Sequence, residues 1–100
     1  MNPNPTDLLR LYDETVKALE TDKDSPALMH RAVLTLARAG SLNFALSEFT
    51  RYGLDKVRHH EDIMALGGRL LKDKALTKTG KEKTEYARRS SEAYEAAFKD

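Results

Sequence analysis

Apolar residues recur along this chain at intervals of three and four, in five blocks separated by short polar runs. That spacing places them on one side of an α-helix and leaves the other side polar. The densest block is PALMHRAVLTLARAGSLNFALSEFTRYG, residues 26–53. Met29, Ala32, Val33 and Leu36 share one face of its first helix. Ala27, Leu34 and Ala37 carry apolar cover further round. A helix wetted along one whole side has no need of that, so neighbours are predicted on two sides. Ser25-Pro26 is a helix start: the hydroxyl can accept from an orphan amide of the first turn, and proline at the first position sacrifices no hydrogen bond. Gly40 stops the helix, because glycine reaches the left-handed conformation without a steric penalty. Ser41 can cap the next helix, whose buried stripe is Leu42, Ala45, Leu46, Phe49 and Tyr52, and Gly53 ends it. With so short a turn the two helices must lie antiparallel.

The other blocks pack around this hairpin. A first helix is predicted over 6–21, after a loose lead-in at 1–5, with Asn4 or Thr6 as cap and Asp7 at its positive end. Leu8, Tyr12, Val16 and Leu19 form its stripe, widened by Leu9 and Leu11. Residues 54–60 form a connection, with Leu54 and Val57 tucked beneath helix ends. A fourth helix, EDIMALGGRLLKDKAL, has Ile63, Leu66, Leu70 and Leu71 as its stripe. Gly67 and Gly68 inside it each cost about 1 kcal/mol against alanine. Gly67 is read as a place of close helix approach. For Gly68 two readings stand side by side, packing or room for a ligand. A loop over 77–83 follows, with Gly80 as the helix stop. The last helix is predicted from Glu82 to Lys99, with Tyr86, Ser90, Ala93, Tyr94 and Ala97 on one face. The fold class is therefore all-α, five antiparallel helices without a sheet.

Composition narrows the function classes. One hundred residues support one domain with a modest core. There is no cysteine, which removes disulfides, thiolate metal sites and cysteine nucleophiles. No apolar run approaches the ~20 residues that cross a bilayer, so no membrane association is expected. MNPNPTDLL lacks a basic-then-apolar leader, so cytoplasmic localisation is expected. His59-His60-Glu61-Asp62 is the cluster with metal-ligand residue types, yet adjacent histidines on a helix point ~100° apart. Neither a metal nor another cofactor is expected. Carboxylates, serines and histidines occur in no catalytic constellation, and the Gly67-Gly68 pair has no preceding strand and no following Gly-Lys-Ser/Thr. A non-catalytic protein is expected.

Net charge is +1 but uneven: residues 1–28 hold six acids and three bases, residues 69–89 eight bases and three acids. The basic segment is the basis of the alternative reading, nucleic-acid binding. It lacks interleaved aromatics apart from Tyr86, and the helix after Gly40 exposes Asn43, Ser47, Glu48 and Arg51, nearly neutral for a reading helix. Solvated lysines and arginines account for the segment more simply.

Gly40 with Ala45, Phe49 and Tyr52 beyond it resembles the second half of a tetratricopeptide repeat. Met29 stands where a tryptophan is usual, and Tyr52 departs from the small residue at the last place. Leu66-Gly67 with Leu70 resembles the first helix of a further repeat, with Ile63 in the tryptophan place, and AYEAAF resembles its second helix. On this resemblance the chain divides into a helix at 6–21, one repeat at 26–58 and a divergent repeat at 60–99. RAVLTLARAG, EDIMALGGRLLKDKAL and ARRSSEAYEAAF further resemble the N-terminal repeats of bacterial tetratricopeptide proteins carrying a TRAFs-binding domain. That resemblance implies a signalling or scaffold role, and a chain that continues into further helices beyond Asp100.

In stacked repeats the first helices line the concave side. The alignment places His30, Leu34 and Arg38, with Met64, Gly68 and Lys72, along a groove for a protein or peptide partner. Leu34 takes the place of the asparagine in the clamp that grips C-terminal carboxylates. The expected groove is thus an apolar strip edged by positive charge, suited to a helix or extended segment. Ala96 and Phe98 are insufficiently polar for an outer cap, so a homodimer through the fourth and fifth helices is also expected.

Overall fold

The computed structural model describes residues 4–98. The extension of the last helix to Lys99 and most of the lead-in expected at 1–5 lie outside those residues. Among them are five α-helices: α1 (Pro5–Thr21), α2 (Pro26–Arg38), α3 (Leu42–Arg51), α4 (Glu61–Ala75) and α5 (Gly80–Ala97). A short 3-10 turn, Leu54–Lys56, precedes α4, and no strand occurs among the described residues. The helices divide between Tyr52 and Gly53 into two compact units.

The first unit holds α1, α2 and α3. Of the two caps open to α1, Asn4 serves: its Oδ1 accepts from the Asp7 amide at 2.9 Å, and Pro5 takes the first helical position. Ser25 Oγ accepts from the Leu28 amide at 3.2 Å and starts α2. Gly40, at φ +86°, closes α2. There the Ser41 amide donates back to the Leu36 carbonyl at 2.9 Å, and the Gly40 amide to Ala37. This is the left-handed helix end in which two orphan carbonyls are satisfied by the turn itself. Ser41 stands at the start of α3, but its hydroxyl makes no capping bond there. The cap expected of it is supplied by nothing more than its backbone.

Both α1 and α3 pack on α2, the two-sided packing predicted from its wide apolar surface. Ala32, Val33 and Ala45 are wholly buried, with Leu8, Leu19, Leu36 and Phe49 around them. Two threonines are buried as well. The Thr15 hydroxyl donates to the Leu11 carbonyl at 2.7 Å and accepts from Arg31 Nε at 2.9 Å, joining α1 to α2. Thr35 donates to the Arg31 carbonyl at 2.6 Å. A buried hydroxyl costs little once its hydrogen bonds are made.

The second unit is the hairpin of α4 and α5 with the turn before it. Gly53, at φ +73°, leads into that turn, and Leu54 is buried where the turn packs on α4. Ile63, Leu66, Leu70, Ala75 and Ala97 form the buried apolar set. The loop between the helices is shorter than expected. Its α4 end is at Leu76, and Gly80, expected to stop α4, instead begins α5. The two helices approach closely at Gly68. A Cβ there would lie 3.0 Å from Tyr94 Cδ2. Ser90 Oγ donates to the Gly68 carbonyl at 2.7 Å in a buried bond. Gly68 therefore serves packing, the first of the two readings open to it.

Candidate interaction surface

His30, Leu34 and Arg38 follow one another at four-residue steps on α2 and so share a face. His30 and Leu34 are half-buried, and Arg38 is exposed. On α4, Met64 is half-buried, Gly68 is buried and Lys72 is exposed. Along each helix the apolar character gives way to a base toward the C-terminal end. Arg38 and Lys72 enter none of the ion pairs among the described residues. Each helix thus brings its own three residues together. Gly68 differs from the others, because Tyr94 and Ser90 of α5 occupy the space beside its backbone.

A second cluster was missed in the sequence. Glu48, read there as an exposed polar position, is only 6% exposed. Arg51 grips it with two bonds, Nε to Oε1 at 2.8 Å and Nη2 to Oε2 at 2.6 Å. Tyr12 of α1 donates to Oε2 at 3.3 Å, and Tyr52 supplies a further side-chain hydrogen bond. Burying a carboxylate is costly unless charged and polar donors replace water, and these residues provide them. The bond from Arg51 holds the Glu48 carboxyl below its usual range, against the opposing effect of burial. Burial, then the neighbouring carboxylate, pushes the Tyr52 hydroxyl up to about 12.

Around this cluster the aromatic rings are ordered too. Tyr12 meets Phe44 edge to face at 6.1 Å, and the Arg51 guanidinium lies 4.7 Å over the Tyr52 ring. The Glu48-Arg51 spacing of three residues is a helical ion-pair signal in the sequence. The partnership with Tyr12, 36 positions away, has no local signature. Chemically the cluster fastens α1 to α3. Both Glu48 carboxylate oxygens accept hydrogen bonds within it, and no group of three or more His, Asp or Glu among the described residues could hold a metal ion.

In the basic 69–89 segment, Arg69, Lys78 and Arg88 are tied to Asp73, Glu82 and the pair Glu85/Glu92. Arg89 lies over Tyr86 at 5.5 Å. These ion pairs involve three of the segment's eight bases, and its basic excess remains. No helix among the described residues is long and apolar enough to cross a membrane.

Antiparallel helices joined by tight glycine turns, with alanines and glycines at the contacts, define a helical-repeat protein. Comparison with protein families agrees. The chain matches the family described as Tetratricopeptide Repeats-Sensor over residues 7–100 and belongs to it. Searches of curated proteins and of solved structures found no match. Repeats of this type generally act as non-catalytic scaffolds and mediate protein–protein interaction. The residues first compared with a tetratricopeptide repeat thus lie in a chain of that family. The finer likeness to proteins with a TRAFs-binding domain is a separate matter.

Proposed function

We propose that this chain is a cytoplasmic interaction scaffold, the N-terminal part of a larger bacterial signalling protein. It takes a partner helix or extended peptide on the α2 face that carries His30, Leu34 and Arg38, and the α4 face with Met64 and Lys72 offers a second such surface. Gly68 contributes to this surface indirectly, by setting how closely α5 lies behind α4. The observation that carries the reading is Leu34. It sits between His30 and Arg38 on a helix whose core contacts are already made by Ala32, Val33 and Leu36, and it stays half-exposed. An apolar residue in that position, with unpaired bases on the same faces, suits a partner with apolar anchors and acidic flanks.

The test is an array of amphipathic peptides with acidic flanks, followed by titration of the best binder. Leu34→Asp should weaken capture at least about tenfold with helical content unchanged by circular dichroism. Arg38→Glu should slow association and reduce its salt dependence. Retention of full affinity by both variants would reject the surface.

A further inference from the structure

Two strips on this chain are complementary to each other, one in each unit. On α1, Leu9, Asp13 and Glu20 lie within about 40° of one another around the helix. Leu9 is 48% exposed, and both acids are exposed. On α4 and its cap, Arg69, Lys72 and Leu76 lie within about 60°. Leu76 is 67% exposed, the most open large apolar residue of the described chain, and the two bases beside it are exposed. Each strip thus sets one leucine beside two like charges, acidic on α1 and basic on α4.

The spacing matches as well as the charge. Asp13 lies four residues after Leu9, and Lys72 lies four residues before Leu76. Four residues rise about 6 Å along a helix. When α1 and α4 run antiparallel, Leu9 meets Leu76 and Asp13 meets Lys72 in one register. Arg69 then falls one turn further on, within reach of Glu20 by its long side chain. The groups are free to do this. Asp13, Glu20 and Lys72 enter none of the ion pairs among the described residues, and Arg69 holds Asp73 only at 3.9 Å with both side chains open to solvent.

We infer that the occupant of each strip is a second copy of this chain, joined head to tail. The α1 strip of one copy docks antiparallel on the α4 strip of the next. The argument is charge complementarity within one sequence: the acidic excess of residues 1–28 and the basic excess of 69–89 are present in equal number at every protein concentration. Such a contact uses two different surfaces, so each copy can engage a neighbour through either strip, and association extends beyond a pair into rings or open chains. It differs from a symmetric pair formed through α4 and α5. It is also small, so the association is weak and depends on salt.

Sedimentation equilibrium, up to about 1 mM protein, tests this. The apparent mass of the wild type should rise steadily past that of a dimer and fall back at high salt. Asp13→Lys and Lys72→Glu should each weaken self-association about tenfold on their own. An equimolar mixture of those two variants should restore it, because each then offers the charge the other needs. Lys17 lies one turn beyond Asp13, opposite the Arg69 end of the partner strip, so Lys17→Glu should tighten association a few-fold. Lys72 also belongs to the proposed partner groove, whereas Asp13 does not. Asp13→Lys should therefore weaken self-association by that factor and leave peptide capture unchanged. A monomer at every concentration overturns the inference. So does a mass that levels off at the dimer, or a mixture that stays as weak as its components.

Discussion

The two units reach a stable core by different routes. In the first, α2 lies between α1 and α3, and polar bonds span the helices: Arg31 to Thr15, and Tyr12 to Glu48. In the second, two helices without a third rely on backbone proximity. Gly68 lets the Tyr94 ring lie on α4, and Ser90 closes the gap with one short bond to its carbonyl. The difference teaches where each unit is vulnerable. A three-helix unit with many shared donors loses them piecemeal. A two-helix unit built on one absent side chain fails when that side chain is supplied.

Gly68→Leu should therefore have the largest effect. Its side chain would have to occupy the place of the Tyr94 ring, and such overpacking costs about 3 kcal/mol. Hydrogen exchange should show α4 and α5 losing protection while α1, α2 and α3 keep theirs.

Glu48→Ala comes next, at about 2 kcal/mol in the first unit, from orphaned donors and a lost ion pair. This residue also predicts a pH dependence. Its folded carboxyl titrates below the ordinary 4.5. The folded state therefore binds fewer protons than the unfolded one near that pH. The contribution is present above about 4.5 and is lost as pH falls through the lower folded value. At the alkaline end the raised Tyr52 hydroxyl works in the opposite sense, with its contribution present below 10 and lost as pH rises toward about 12. Denaturant melts across pH should show the acid slope flattened in Glu48→Ala.

Ser90→Ala removes one buried hydrogen bond and should cost about 1 kcal/mol in the second unit. The smallest effect is expected for Tyr12→Phe, about 0.5 kcal/mol. Its bond is long at 3.3 Å, and Glu48 keeps Arg51 and Tyr52. Urea midpoints for the four variants should fall in that order. A larger loss for Tyr12→Phe than for Ser90→Ala would mean that the tie between α1 and α3 carries the first unit after all.

Much of the fold was legible because its determinants are local. Ser25-Pro26, Gly40 and Gly53 mark helix ends through their own backbone preferences, and the observed bounds of α2 and α3 follow them. The apolar stripes held for the same reason, except that Leu9, expected to widen the α1 stripe, is 48% exposed: spacing along a helix is a property of neighbouring residues, but how wide a face is covered is not. The α5 stripe shows it clearly, with Ser90 and Ala97 buried and Tyr86, Ala93 and Tyr94 half-buried. Errors arose where local signals competed. Gly80 reads equally well as a stop or a start, and Ser41 has the right chemistry for a cap it does not make. The candidate surface was less legible still. Exposure of Leu34 could be guessed from its position off the core stripe, but burial of Glu48 could not, because its acid type argues for solvent.

Helix number, helix ends and the apolar faces were written in the order of residues, since capping and 3.6-residue periodicity act over one or two turns. Only folding decided that a glutamate would be buried, that Gly68 would face a tyrosine 26 positions later, and that Leu9 and Leu76 would stay uncovered. Those outcomes depend on donors, rings and surfaces brought together from distant parts of the chain, and no local pattern encodes which of them will meet.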